Sequence, residues 1–483
     1  MALFSWTKTV TFASVCFMFC LSLNAQTGSS HIGCATPKRP VHVYYADPIK
    51  GSMKGDGSYS RPWGSLASII NANLINGQDN SSGVVHAGDL IYLLTGDHGN
   101  IVLSPNVGTG KVSNTEFITI QAAPGKNPTL QSLNVQNAAK WVFRGLTIQN
   151  PPNYTARGVL VSLTSTENIL FDSNIVYSVP NAVNWTPQDW ATSSSFIGIQ
   201  VQTSTSVTVS NNKVSNVEKG IWIAGNSINL FNNLIDYFAD DGIDFSVSNS
   251  ILSHNTVTNH YGQWDDGRHH DGMQGFAYDI NVTYANVLID SNVILASTGS
   301  YPTIPVLPTN GADDLMQGLS IFDGAWDNVT VTNNVVVARN NYHALSMYRF
   351  SNSVIANNTV FGQSVNPSVS PWLAVFNPDS NVIVRNNIAN RLIVAQPGVV
   401  VDDHNISLTG GSGNSWSNVP SNIVVSDPTT IFVKYQPSTG AYDFNLINGS
   451  PAIGAGSAVN APNYDVTGKV RNPLKIDLGA YAY

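Results

Sequence analysis

A short phrase of alternating apolar residues, one or two asparagines and a second apolar stretch returns eight times along this chain, and that recurrence limits the folds open to it. The copies lie at 169–176, 207–214, 228–235, 251–257, 287–294, 329–336, 354–360 and 382–388. Their matching asparagines are Asn174, Asn212, Asn233, Asn255, Asn292, Asn334, Asn358 and Asn387. Where copies are closest, from Asn212 to Asn233 and from Asn233 to Asn255, the period is 21 or 22 residues, short for a propeller blade and right for one turn of a β-coil. Strands this brief bury no face alone, so successive turns must stack. Asparagine suits the bend because it tolerates the left-handed backbone region and its amide can bond the asparagine of the next turn. The expectation is a structural ladder without chemistry. Asn281 and Asn328 stand in Asn-X-Ser/Thr triplets, which turn composition explains without glycosylation.

A second column aligns beside the first. Residues 197–201, 219–223, 241–245, 271–275, 317–321 and 343–347 share one pattern, most clearly as Asp241-Gly-Ile-Asp-Phe and Asp271-Gly-Met-Gln-Gly. Period-2 alternation points the third and fifth positions inward and the fourth toward solvent. The outward row then reads Gln200, Trp222, Asp244, Gln274, Ser320, Ser346, edged by Lys219, Asp241, Asp271, Gln317 and His343. Such a polar, aromatic and acidic stripe suits a sugar-binding floor. Long insertions at 181–196, 260–270, 297–316 and 362–371 all precede this column, so they leave one corner and form a wall. Trp185, Trp190, Trp264 and Tyr301 in that wall are candidates to stack on pyranose rings.

The chain as a whole bounds the answer further. Residues 1–25 carry Lys8, an apolar run and a small-residue end, the pattern of a secretory signal peptide, so a secreted protein is expected. Cys16 and Cys20 fall within it, leaving Cys34 and no intramolecular disulfide. No later apolar run is long enough to cross a bilayer as a helix. A net charge of −8 without a basic patch excludes nucleic acid as a partner. Length would allow several domains, but stacking architectures grow without enlarging one core. One domain over 26–483 is expected, with a capping segment at 41–95, coils at 100–430 and a closing segment at 431–483, acting as a monomer.

Near the start, Val41-His-Val-Tyr-Tyr-Ala-Asp47, Gly55-Asp-Gly-Ser58, Arg61-Pro-Trp-Gly-Ser-Leu66 and Ala87-Gly-Asp-Leu-Ile-Tyr-Leu93 resemble the opening of secreted bacterial parallel β-helix proteins. Ser450-Pro-Ala-Ile453, Asp465-Val-Thr-Gly468, Arg471 and Asp477-Leu-Gly-Ala-Tyr481 resemble their closing segment. The resemblance implies an all-β, single-stranded right-handed parallel β-helix of the pectin-lyase-like kind, with an N-terminal capping helix over 63–74. That group includes polysaccharide lyases, glycoside hydrolases, uronan epimerases and phage adhesins, so the site must choose among them.

Ionisable residues are densest at Asp240-Asp-Gly-Ile-Asp244 and Asp265-Asp-Gly-Arg-His-His-Asp271. Neighbouring turns about 4.8 Å apart bring these acids together, which raises a pKa or recruits a cation. Calcium is the cation such acids would take, as a structural ion; no cofactor is demanded, and neither a phosphate loop nor a zinc motif occurs. His269 and His270 beside Asp271 have the arrangement that orients an imidazole for proton transfer. Tyr261-Gly and His270-Asp271 are similar to a motif of mannuronan C5-epimerases, although no proline precedes the histidine here. That resemblance implies His270 or His269 as base, Tyr261 as acid, and Arg268 or Lys219 neutralising a uronate carboxylate. The phrase Asp241-Gly-Ile-Asp244 resembles polygalacturonase-like hydrolases, which implies Asp241 or Asp244 with Asp271 as an inverting acid–base pair about 6.5–9.5 Å apart.

The expectation is an extracellular enzyme degrading an acidic polysaccharide by β-elimination, with inverting hydrolysis, epimerisation and non-catalytic glycan binding as alternatives. Its catalytic candidates are His270, Asp271, Asp244, Asp241, His269 and Tyr261. Lys219, Trp222, Arg268, Gln274, Gln317, His343, Tyr348 and Arg349 are the candidates for substrate binding.

Overall fold

The computed structural model describes residues 37–75, 83–104, 112–151, 158–261, 269–299, 315–363, 369–394, 398–412 and 419–483. Their strands form one long parallel sheet wound into a coil, a parallel β-helix, with one short antiparallel hairpin at the end. Each full turn contributes three strands, so the coil has three columns. The first column stacks Val207 on Ile169, and Ile251 on Asn229. The second stacks Val214 on Val176 and Ile235 on Val214. The third follows the aligned row, through the pairs Gln200 with Trp222, Trp222 with Asp244, Asp244 with Gln274, Gln274 with Ser320, and Ser320 with Ser346. The inferred register is therefore the observed one.

Inside the coil, Ile221, Ile223, Ile243, Phe245, Met273, Leu319, Ile321, Leu345 and Met347 are buried. These are the third and fifth positions of the row, where alternation places them. The glycine of the Asp-Gly-Ile phrase has a steric cause. A Cβ on Gly242 would lie 2.3 Å from Val257 Cγ1 and 2.5 Å from the Gly272 carbonyl oxygen, so this tight corner admits no side chain.

The asparagines form a buried ladder. Asn212 Nδ2 donates to Asn233 Oδ1 at 3.0 Å, and the same 3.0 Å step links Asn233 to Asn255, Asn255 to Asn292 and Asn292 to Asn334. Beyond the expected copies the ladder continues through Asn405 and Asn422. One detail of the expectation is corrected: the left-handed residue is the one before each rung, such as Asn211, Asn232, His254 and Ser291. The rung asparagine instead serves as a double donor. Asn255, for example, also gives Nδ2–H to the Leu230 carbonyl at 2.9 Å. Asn255→Ala removes the acceptor of the Asn233 backbone and side-chain N–H groups. We expect each buried group left unpaired to cost about 1–3 kcal/mol, read as a lower urea midpoint; an unchanged midpoint would deny the ladder an energetic role. Asn328 belongs to a second, exposed ladder, donating to Asn286 at 2.7 Å.

At the N-terminal end, the helix Leu66–Asn71 is capped by Ser65 and buries Leu66 and Ile69 into the core, shorter than the span read from sequence but in its place. The closing segment lies along the flank of the coil. Ile431, Phe432, Phe444, Leu446 and Leu478 pack on Val335, Val337, Phe361, Ile388 and Ile406, so the second column is apolar on its outer face as well. Buried Arg471 fastens it, donating to Asn333 Oδ1 at 2.8 Å and to the Gly479 carbonyl at 2.9 Å.

Candidate active site on the third column

Three successive turns deliver the ionisable cluster. The backbone bonds Gly220 N–H to Asp241 O and Gly242 N–H to Asp271 O, both 2.9 Å, fix the turns against each other. Lys219 from the first turn then reaches all three acids of the second. Its Nζ lies 3.1 Å from Asp240 Oδ2 and 2.8 Å from Asp244 Oδ2, and it also contacts Asp241. The third turn closes the cluster, since the Asp271 N–H donates to Asp241 Oδ1 at 2.8 Å and His270 Nδ1 lies 3.2 Å from Asp240 Oδ1. Outside these, His269 Nδ1 is 2.9 Å from Asp271 Oδ2. Asp244 and His270 thus share one cluster.

Four carboxylates, Asp240, Asp241, Asp244 and Asp271, are buried here. Removing a carboxylate from water favours its neutral form. Burial, then the charges of Asp244 and Asp240, push Asp241 well above the carboxylate range despite Lys219. Burial likewise raises Asp244 to about 6 against the pull of Lys219, and raises Asp271, tempered by its bond to His269. Burial opposes the charge of Lys219, but the carboxylates, Asp241 foremost, hold its ammonium above the ordinary lysine value. The hydrogen bond to Asp271 raises His269 above the usual imidazole value.

The two histidines have different surroundings. His269 keeps 55% of its side chain exposed and has its Nδ1 engaged by Asp271, which leaves Nε2 as its outward nitrogen. His270 is buried between Asp240 and the ring of His260, whose centroid is 5.1 Å away. Desolvation holds His260 well below the normal imidazole range.

Several expected placements change. The fourth position of the row does not face open solvent throughout: Asp244, Ser320 and Ser346 are buried, while Gln200, Trp222 and Gln274 are half-buried. Asp244 lies beneath Lys219. Ser346 lies beneath His343 and Trp372, whose Nδ1 and Nε1 approach its Oγ at 3.0 and 3.1 Å. Tyr261 is no accessible acid; it stacks on Trp190 at 5.1 Å, donates its hydroxyl to the Trp185 carbonyl, and is pushed up to about 12 by desolvation. Trp190 is fully buried in that same aromatic cluster and is closed to a sugar. Arg268, Trp264 and Tyr301 lie outside the described residues. Gln317 is buried on the turn after Asp271, its Oε1 without a partner among the described residues. Arg349 is exposed, past the end of its strand in the left-handed region, and is not joined to the acidic cluster by any described contact.

His343 and Tyr348 instead enter an aromatic group two turns beyond the acids. Phe322 meets His343 at 4.9 Å and Tyr348 at 5.2 Å, and Trp372 stacks on Tyr342 at 5.0 Å. Phe322, Tyr342 and Trp372 were not read from sequence. Carrying the row one turn further, to Trp372-Leu-Ala-Val-Phe376, would have found Trp372, but that copy is one residue short after its first position, where the register shifts. Asp240, the shared partner of Lys219 and His270, was also missed as a site residue.

Calcium does not fit this arrangement. The position between the three acids is filled by the Lys219 ammonium, and among the described residues no group of three or more His, Cys, Asp or Glu is set to hold a metal ion. No described helix is long and apolar enough to cross a membrane.

The family model for the right handed beta helix region matches residues 131–304 and 197–366. No curated protein matches the sequence. Among solved structures, XylC in complex with xylose is similar over 91% of this chain and 98% of its own, with TM-score 0.56 and 10% identity. Pectate lyase Pel9A is similar over 92% and 96%, with TM-score 0.43 and 14% identity. PfbA, a surface adhesin of Streptococcus pneumoniae, is similar over 69% and 82%, with TM-score 0.42 and 13% identity. At these identities the likeness is one of fold.

Proposed function

Taking as its premise that the chain is a right-handed parallel β-helix, we propose that it cleaves a polysaccharide laid along the third column, with His269 moving the proton. One observation carries this reading: a half-exposed imidazole is bonded through Nδ1 to a buried carboxylate that opens a strand of the third column. That bond fixes the ring and leaves Nε2 to accept a proton. The neighbouring aromatic group supplies faces of the kind that pack on pyranose rings.

The reaction we propose is β-elimination on a uronic-acid glycan. His269 takes the proton beside the carboxylate, the freed electron pair forms the carbon–carbon double bond as the bond to the leaving oxygen breaks, and that oxygen takes a proton from water, giving an unsaturated sugar and a shortened chain. The half-buried Gln274 amide, next to Asp244 in the register, is the donor we assign to the substrate carboxylate. Hydrolysis is a second reading, favoured by one fact: Asp244, raised to about 6 by burial, can hold the proton a general acid must give. Lys219, already engaged by three carboxylates, is assigned no substrate contact in either reading.

The pH profile separates the two. A base must be deprotonated, so elimination should accelerate as pH rises through the elevated His269 value. A general acid must be protonated, so hydrolysis by Asp244 should slow as pH rises past about 6. Acidic and neutral polysaccharides followed together for ultraviolet absorbance and reducing ends give the product test. Absorbance with reducing ends means elimination, reducing ends alone mean hydrolysis, and neither from any glycan would sink the cleavage reading.

A further inference from the structure

Ser346 joins two rings of the aromatic group. It is fully buried, and its Oγ meets Trp372 Nε1 at 3.1 Å and His343 Nδ1 at 3.0 Å. These contacts fix where the hydrogens lie. An indole nitrogen only donates, so the Ser346 oxygen accepts from Trp372. The Ser346 hydroxyl hydrogen then needs an acceptor of its own, because a buried donor left unpaired bears the full cost of its desolvation. Among the described residues, the acceptor in contact is His343 Nδ1. The opposite assignment, with His343 donating through Nδ1, would strand that hydrogen. His343 therefore carries its proton on Nε2. The surroundings hold the ring in this state. Phe322 meets it at 4.9 Å and Trp372 at 5.1 Å, with interplanar angles of 83° and 89°. Burial, and after it the charge of His269, keep this imidazole below its usual value and so neutral at neutral pH. Its Nε2 has no hydrogen-bond partner among the described residues, yet it is not sealed from solvent.

His269 and His343 thus show opposite nitrogens. With Nδ1 taken by Asp271, the outward Nε2 of His269 accepts, whereas the outward Nε2 of His343 donates. Two turns separate them, since the register runs from Asp271 to Gln317 and from Ser320 to Ser346. At about 4.8 Å per turn, that is about 10 Å along the coil. We propose that His343 is a specificity-determining residue, a fixed Nε2–H donor that binds an acceptor oxygen, hydroxyl or carboxylate, of the glycan unit two turns beyond His269. A hydroxyl must meet this nitrogen through its oxygen, because the fixed tautomer offers no lone pair there. The relay from Trp372 through Ser346 stands by itself, while the glycan as ligand rests on the function proposed above.

The test uses the full chain. Isotopically labelled histidine reads the tautomer by two-dimensional NMR with no glycan present, the His343 signals being those lost in His343→Phe. At neutral pH, His343 is expected to show a protonated Nε2 and a bare Nδ1; the reverse overturns the proposal. Calorimetry with hexasaccharides of galacturonate and of alginate then measures binding in a His269→Ala background, which keeps the ligand whole. There, His343→Phe keeps a ring between Phe322 and Trp372 but loses the donor. It should weaken binding about fivefold, the size of one neutral hydrogen bond, and melt close to its parent. His343→Gln restores an N–H donor and should recover most of the affinity. Equal binding by His343→Phe and its parent overturns the proposal, as does a His343→Gln protein no better than His343→Phe, or binding of neither hexasaccharide by the parent. Should His269→Ala still cleave, the proton acceptor is another residue, and the ratio of KM between His343→Phe and wild type then decides the role of His343.

Discussion

His269→Ala should cut the rate on the responsive polysaccharide by about 10²–10⁴-fold while leaving the melting midpoint close to that of wild type. The side chain is half-exposed and its described hydrogen bond is to Asp271, so truncation removes a proton acceptor with little packing. His270→Ala should behave in the opposite sense. That ring is buried against Asp240 and His260, and its loss opens a cavity beside a buried carboxylate, a change that destabilises. Its main effect should be a lower midpoint. Rates from correctly folded protein decide the assignment. If His269→Ala matches wild type, the proton acceptor is another residue.

Deleting residues 431–483 should leave a chain that does not fold to a soluble monomer at 25 °C. The deletion bares Val335, Val337, Phe361, Ile388 and Ile406 on the outer face of the second column. At about 1.5–3 kcal/mol for each large apolar side chain, re-exposure costs on the order of 10 kcal/mol, an upper bound because unfolded chains also bury some surface. That is comparable to the whole stability of a typical domain, about 5–15 kcal/mol. The bared stripe is also contiguous, the kind of patch that promotes association. Light scattering and circular dichroism of the truncated chain check this. A monomeric, cooperatively melting product would show the flank packing to be dispensable.

The coil was legible because its evidence is local. Alternation fixed which of Ile243, Asp244 and Phe245 point inward, and equal spacing from glycine fixed the register of Asp244 on Gln274. What covers the outward row was not legible, because the covering groups arrive from other turns. Lys219 precedes Asp244 by one turn, and Trp372 follows Ser346 by one. The same reason hid the difference between His269 and His270, adjacent in sequence yet one outside and one inside. Arg471 reaches Asn333 from 138 residues away, and no periodicity announces such a contact. Tyr261 was misjudged because its motif resembles an exposed one, whereas Trp190, brought by an insertion some seventy residues earlier, seals it in.

Successive rungs of the asparagine ladder are joined by the same 3.0 Å hydrogen bond whether 18 residues separate them, as for Asn387 and Asn405, or 42, as for Asn292 and Asn334. Contour length is thus decoupled from axial rise. A lineage carrying this scaffold can lengthen or shorten any lateral excursion without re-tuning its interior, so changes in substrate preference should accumulate as insertions and deletions long before they appear as replacements of core residues.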